Sequence, residues 1–433
     1  EGTLIFASTD GGSIGALGAR ELAENLPRAE AVDAALVISQ PGPRDPRPPF
    51  VVASGLDPES PSPQLVRTAR AATASRYGER DEEPGTWAGL SRLAVPAGLG
   101  EQAVLRDEGL EALAISGAGE RQLPDEEDAT VSAETMAASG TAMLDLILTL
   151  DEAERPPAEG PAEHVRLGDN LIPGWTLSLL AIALILPALL AAADTWLREL
   201  RADWRTRRSL PWAAERALIP LAGLLLVYAL GLVGLVPDPG FPYDPARFEP
   251  GAEAPVAFAA IAGAFALAAL LIRPLRIPLD AEPHVLAAAA GMITGLALLA
   301  LWLLNPYLAL LLAPVAHVWL LPARASGPPR AALVAGVAIA TLIPAAAAFA
   351  TVAGQLDLGL AAPWHLLLMI VGGQLGLLAS LLWCAMLGGL IACVSAANSF
   401  AGRPQPGRGG VLGSGTHAGP GSLGATPSAL RGR

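Results

Sequence analysis

The chain has 433 residues, with 28 arginines and no lysine against 41 acidic residues, and hydrophobic residues make up 52% of it. Charge is spread unevenly: residues 1–170 hold 30 acids and 13 arginines, whereas residues 171–433 hold 11 and 15. An acidic, water-compatible front half joined to an apolar, slightly basic back half excludes a single soluble globular domain, and the lack of a basic face excludes nucleic acid as a partner.

In chain order, Thr3–Ser8 is a short β-branched and aromatic run that reads as a buried strand, followed by a turn over Thr9-Asp10-Gly11-Gly12-Ser13 and an amphipathic helix over 14–26. Strands are predicted over 31–39 and 50–54. Ser62 as N-cap with Pro63 at the first helical position opens a helix to about Tyr77. Residues 98–108 read as helical and 110–116 as a further strand, and Ser132 caps a helix running to about Glu152. Strands alternating with helices predict an α/β domain over residues 1–153, its mostly parallel sheet flanked by helices. Because the chain opens at Glu1 within the first strand, the start of this domain is expected upstream. Residues 154–171, rich in Pro and Glu, read as a linker.

From residue 172 to 397 the sequence reads as an all-α transmembrane bundle. Apolar runs of the length a bilayer core demands occur at 173–193, 214–236, 255–272, 284–303, 306–322, 331–353 and 366–395. That gives about seven spans, or eight if the last run folds back at Gly372-Gly373. Arginine tests the count independently. Arg198, Arg201, Arg205, Arg207, Arg208 and Arg216 fall between or beside spans one and two, Arg273 and Arg276 between three and four, and Arg324 and Arg330 between five and six. With Arg403, Arg408, Arg431 and Arg433 after the last span, 14 of the 15 arginines beyond residue 170 lie on one side, and Arg247 alone lies on the other. The positive-inside rule makes the arginine side cytoplasmic, so the front domain is an ectodomain of the cell membrane. Residues 398–433, rich in Gly, Pro, Ser and Arg, are expected to form a disordered cytoplasmic tail.

Polar residues within the spans are few: Asn305, His317 and Gln374, with Asp194 and Glu215 at span ends. They form no charged pathway and read as packing or interfacial groups. Gly291-x-x-x-Gly295 and Gly372-x-x-x-Gly376 match close helix packing. Cys384 and Cys393, nine helical residues apart, are too distant to form a disulfide. The Gly-rich turn after the first strand does not fit a dinucleotide fingerprint, and a chain without lysine has no Walker motif. Ser13 has no histidine before His164 to serve as its base.

Residues 4–20 (LIFASTDGGSIGALGAR) nevertheless resemble the strand–turn–helix of the co-catalytic zinc aminopeptidases, metallopeptidase family 28, whose turn reads Asp-Gly-Glu-Glu. Residues 100–113 (GEQAVLRDEGLEAL) look like the family's Ser-Asp-His segment, 113–119 resembles its following strand, and 124–136 its closing segment. The resemblance implies an α/β fold and a two-zinc site in which a Glu activates water. Carried over residue by residue, the base and its neighbouring ligand fall on Gly12 and Ser13, a later ligand near Ser39 or Gln40, and the Asp-His pair on Glu101 and Gln102. The last His would lie near Arg121–Pro124. Asp10, Glu101 and the Asp125–Asp128 run are the carboxylates left, weak candidates for a divalent cation. Gly and Ser cannot act as a carboxylate base. The expectation is therefore a catalytically inactive peptidase-like ectodomain on a membrane bundle, with no cofactor, binding or scaffolding an envelope peptide, lipid-linked substrate or protein. This order of parts is similar to that of multi-pass endoplasmic-reticulum metallopeptidases and of the attachment subunit of the glycosylphosphatidylinositol transamidase. The alternatives are an active membrane-bound zinc aminopeptidase with ligands upstream, and a transporter.

Overall fold

The computed structural model describes residues 3–12, 15–77, 84–121, 131–153, 157, 160–168, 170–275, 281–324 and 330–399. The front part comprises α1 (Leu17–Asn25), β1 (Ala35–Ser39), β2 (Val51–Val52), α2 (Pro63–Tyr77), α3 (Thr86–Ala94), α4 (Glu101–Asp107), β3 (Ala112–Ser116) and α5 (Ala133–Asp151). The sheet order is β1-β3-β2, with β1 parallel to β3 and the two-residue β2 antiparallel to it. Alternation along the strands divides the core in two. Val37 and Ala112 pack towards Ala19 of α1 and Val104 of α4, while Leu36, Leu113 and Ile115 pack towards Leu65 of α2 and Leu146 of α5. Every residue of β3 is buried, as befits a central strand with helices on both faces. Local chemistry sets the helix starts: Pro63 is the first residue of α2, and the Ser132 hydroxyl accepts from Thr135 N at 3.2 Å to cap α5.

Thr3–Ser8 is not a strand: it pairs with no strand among the described residues, and Phe6 is 85% exposed. A buried strand needs a ladder partner for its backbone groups, and among the described residues β1 pairs with β3 alone. The sheet is small and mixed rather than mostly parallel. The expected strand over 31–39 begins only at Ala35, because Ala29–Ala31 forms a 3₁₀ turn. Part of the expected linker is a hairpin, β4 (His164–Leu167) with β5 (Asn170–Pro173), and a further helix, α3, stands between the expected helices at 63–77 and 98–108.

Seven helical stretches are long and apolar enough to cross a membrane: Gly174–Ala202, Trp204–Leu232, Glu253–Ile272, Pro283–Leu304, Pro306–Ala323, Ala331–Gln355 and Leu377–Ser399. They are compatible with a multi-pass membrane protein. The elements are α6 (Gly174–Ala202), α7 (Ser209–Ala214), α8 (Leu218–Leu232), α9 (Glu253–Leu275), α10 (Pro283–Leu304), α11 (Pro306–Leu312), α12 (Leu320–Arg324), α13 (Arg330–Ala340), α14 (Ile343–Gln355), α15 (Ala362–Val371) and α16 (Leu377–Ser399). The run expected at 366–395 is interrupted at Gly372-Gly373, which separates the short apolar α15 from α16. Of the tail expected over 398–433, Asn398 and Ser399 belong instead to the last turn of α16, and residues 400–433 lie outside the described residues.

Helix α10 is the axis of the bundle, packed against α6 and α16, whereas α9 leans on α8 at the periphery. Small residues permit the close approaches. Gly291 faces the Trp319 ring, Gly295 faces Leu189, and Gly389 faces Thr294. The Gly372–Gly376 pair is part of the turn between α15 and α16, so it does not pack helices. Cys384 and Cys393 are free and buried. A Cβ at Gly291 would stand 2.6 Å from the Trp319 ring, whereas one at Gly336 would meet nothing within 4 Å. Gly291→Ala should destabilise the detergent-purified protein by ~1–3 kcal/mol. Gly336→Ala should be neutral or raise stability by ~0.5–1 kcal/mol, both read from thermal unfolding.

Candidate functional site

The turn after the N-terminal segment is built for close backbone approach. Gly11 has φ +72°, the Asp10 carboxylate accepts Gly11 N at 2.6 Å, and Gly18 N donates to Asp10 O at 2.9 Å. A Cβ on Gly18 would collide with the Asp10 backbone at 2.5 Å, so α1 packs there through glycine. The turn meets the start of α4. The Thr9 hydroxyl lies 2.9 Å from both carboxylate oxygens of Glu101, the first residue of α4, and a Cβ on Gly12 would be 3.1 Å from Glu101 Oε1. Two segments singled out by the family resemblance thus come together, 92 residues apart in sequence.

Their chemistry is a hydroxyl on a carboxylate. Gln102 turns inward, donating to Ser54 O at 3.4 Å. Gln40, at the end of β1, accepts Gly117 N at 3.2 Å through its carbonyl. Arg121 reaches the bundle, with Nη1 donating to Asp357 O at 3.0 Å and Nη2 lying 3.5 Å from Glu249. Ser13 and Asp125–Asp128 lie outside the described residues. Among the described residues no three His, Cys, Asp or Glu side chains form a metal-holding group. A pair of zinc ions needs some five nitrogen or oxygen ligands, and among the described residues this turn brings together the Thr9 hydroxyl and the Glu101 carboxylate.

A second polar assembly fastens the front domain to the bundle, and sequence reasoning missed most of it. Helix α3 lies on α14 and α11. Trp87 Nε1 donates to Thr351 Oγ1 at 2.9 Å, and Asn305 Nδ2 donates to Leu93 O at 3.1 Å. Gln374 Nε2 donates to Pro96 O at 3.0 Å. Arg92 bridges Glu120, at 2.6 Å, and Gln355 Oε1, at 2.5 Å, while Glu120 also accepts from the Ser54 hydroxyl. Tyr307 OH donates to Glu163 at 2.5 Å. Asn305 and Gln374, read from sequence as polar residues within spans, are docking groups. The available signal for α3 was the spacing Trp87, Leu90, Leu93, Ala94 on one helical face.

Beside this junction lies an apolar cavity of about 20 Å³ lined by Val95, Leu99, Tyr243, Val352, Leu356 and His365 among others. Tyr243 OH and His365 Nδ1 are hydrogen-bonded at 2.9 Å, with the rings stacked at 5.8 Å. Phe241 and Phe248 contact Tyr243 edge-on, and Trp364 Nε1 donates to Phe248 O at 2.9 Å. Burial pushes the Tyr243 hydroxyl pKa up. Burial first, and then the Arg121 charge, hold the His365 imidazole down at about 4. Both groups are neutral at pH 7, and the pair closes the cavity without an acid partner.

The arginines used for orientation lie near helix ends and in the segments that join the helices. Arg201 lies in the last turn of α6, Arg205, Arg207 and Arg208 follow it, Arg273 lies in the last turn of α9, Arg324 ends α12 and Arg330 opens α13. Arg198 pairs with Asp194 at 2.7 Å, while Arg276 lies outside the described residues. No protein-family model matches the chain, and no curated protein matches it either.

The His365 environment has a consequence for pH dependence. Its pKa in the folded protein is below the ordinary 6.5, so the folded state favours the neutral ring and its contribution is complete above that pH. As pH falls from 6.5 towards 4, the unfolded chain takes up the proton first and stability declines. Thermal unfolding in detergent across this range should show that slope, and His365→Phe should lack its share of it.

Proposed function

We propose that the chain is a multi-pass membrane protein whose front domain is a metallopeptidase-family-28-like ectodomain without catalysis, acting as a binding or scaffold module at the cell envelope. Its ligand on this reading is an envelope peptide, a lipid-linked substrate or a partner protein. The observation that carries the reading is the meeting of Thr9–Gly12 with Glu101. The two segments assigned by resemblance to the zinc site adjoin, yet the base position is Gly12 and the nearest pairing is a threonine hydroxyl on a carboxylate. A glycine offers neither a general base nor a ligand to zinc.

The fastening of the front domain supports a scaffold. Arg92, Asn305, Gln374 and Trp87 hold it against the bundle, so a partner bound to the domain is held at a fixed height over the membrane. The one-sided distribution of arginines between the spans supports placing the front domain outside and the C-terminal tail in the cytoplasm.

Full-length protein purified in detergent and resupplied with zinc should bind no stoichiometric zinc and hydrolyse no aminopeptidase substrate. About two zinc ions per chain with EDTA-sensitive hydrolysis would overturn the inactive reading in favour of the enzyme. Orientation is tested separately by cysteine labelling, since the two native cysteines are buried in α16. In intact cells an impermeant maleimide should label Ser75→Cys and should label Ala202→Cys only after permeabilisation. The reverse pattern would invert the topology.

A further inference from the structure

We propose that the turn following α6 binds the headgroups of anionic phospholipids. The inference rests on the bundle being embedded in a bilayer; it does not depend on whether the front domain is catalytic. Helix α6 ends at Ala202, and Asp203 caps the following five-residue 3₁₀ turn, Trp204–Arg208, by accepting Arg205 N at 2.9 Å. In a 3₁₀ helix residues three apart eclipse one another. Trp204 and Arg207 therefore share a face, where the guanidinium sits 4.3 Å from the indole centroid, and Arg205 and Arg208 share the next. Arg201 adds a further cation from the last turn of α6.

These four arginines are exposed, and among the described residues Arg201, Arg205 and Arg208 form no hydrogen bond or ion pair through their side chains. The carboxylates nearest in sequence have partners elsewhere. Asp203 is the cap, Asp194 holds Arg198 at 2.7 Å, and Glu199 holds His284 at 3.3 Å. Like charges on one face repel, and an anion between them removes that cost. A phosphodiester, with two oxygens matched to a guanidinium fork, is the anion chemistry that such a pair takes best.

The turn is also rigid and set at a defined depth. Ser209 Oγ donates to Thr206 O at 2.7 Å and accepts from Trp196 Nε1 at 2.9 Å, with Thr206 and Ser209 both buried. The guanidiniums are thus carried on a fixed backbone. Trp204 is 57% exposed, and Leu197, a turn or two earlier, is 42% exposed. An exposed indole at the end of an apolar span belongs at the headgroup level, and that depth puts the neighbouring guanidiniums among lipid phosphates.

The test is native mass spectrometry of the full chain released from nanodiscs containing both phosphatidylcholine and phosphatidylglycerol. Wild-type protein should retain phosphatidylglycerol in preference to phosphatidylcholine. Removing each arginine in R205Q/R208Q should cut that preference about fivefold, which is ~1 kcal/mol per arginine. R198Q removes the same charge from a residue already paired and should leave the preference intact. Should the double variant not fold, R205Q and R208Q singly carry the same expectation. Equal retention of the two lipids by wild-type protein would overturn the proposal, as would an equal loss in R198Q. Failure of the chain to insert into the nanodiscs would instead overturn the membrane reading itself.

Discussion

Among the polar contacts that join the two parts of this molecule, the Asn305 amide serves two helix ends at once. Asn305 Oδ1 accepts the backbone N–H groups of Tyr307 and Leu308, at 3.1 and 2.9 Å, and so caps α11. Its Nδ2 donates to the carbonyls of Leu93 and Ala94, at 3.1 and 3.3 Å, in the last turn of α3. Helix ends leave donors at one terminus and acceptors at the other without partners. At the rim of an apolar bundle, where water is scarce, unpaired backbone groups are costly. A single amide satisfies both ends at once, and this fixes where α3 must sit. Leu93 and Ala94 then join the bundle's apolar core together with Val165 from the hairpin, while Ala97 and Leu99 meet Val352 and Leu356.

What the sequence made legible follows the range of the interaction. Pro63, Ser132 and Asn305-Pro306 mark helix starts because capping is decided within a few residues. The apolar spans are legible because a bilayer imposes length and composition on each one separately. Strand pairing is not local, and there the reading fails. LIFA near the N-terminus and ALAIS in β3 have similar composition, yet one is exposed and unpaired and the other is fully buried. Nothing inside either segment records which has a neighbour.

The same limit applied to the site. Thr9 and Glu101 could be brought together from sequence only through the family resemblance, which placed their segments in one order. Tyr243 and His365 are 122 residues apart, and no periodicity connects their segments. Helix α3 has only nine residues, too few for apolar spacing to stand out, and its partner surface lies more than 200 residues away.

The junction also links the energetics of the two parts. Glu120 follows β3, the central strand of the front domain, and its side chain is only 4% exposed. Arg92 holds that carboxylate while its Nε donates to Gln355, the last residue of α14. A ligand that shifts the end of β3 must carry Arg92 with it or leave a buried carboxylate without its cation, which is strongly unfavourable. If Arg92 moves, α14 loses the contact at its end. One guanidinium thus ties the end of the front domain's central strand to the end of α14.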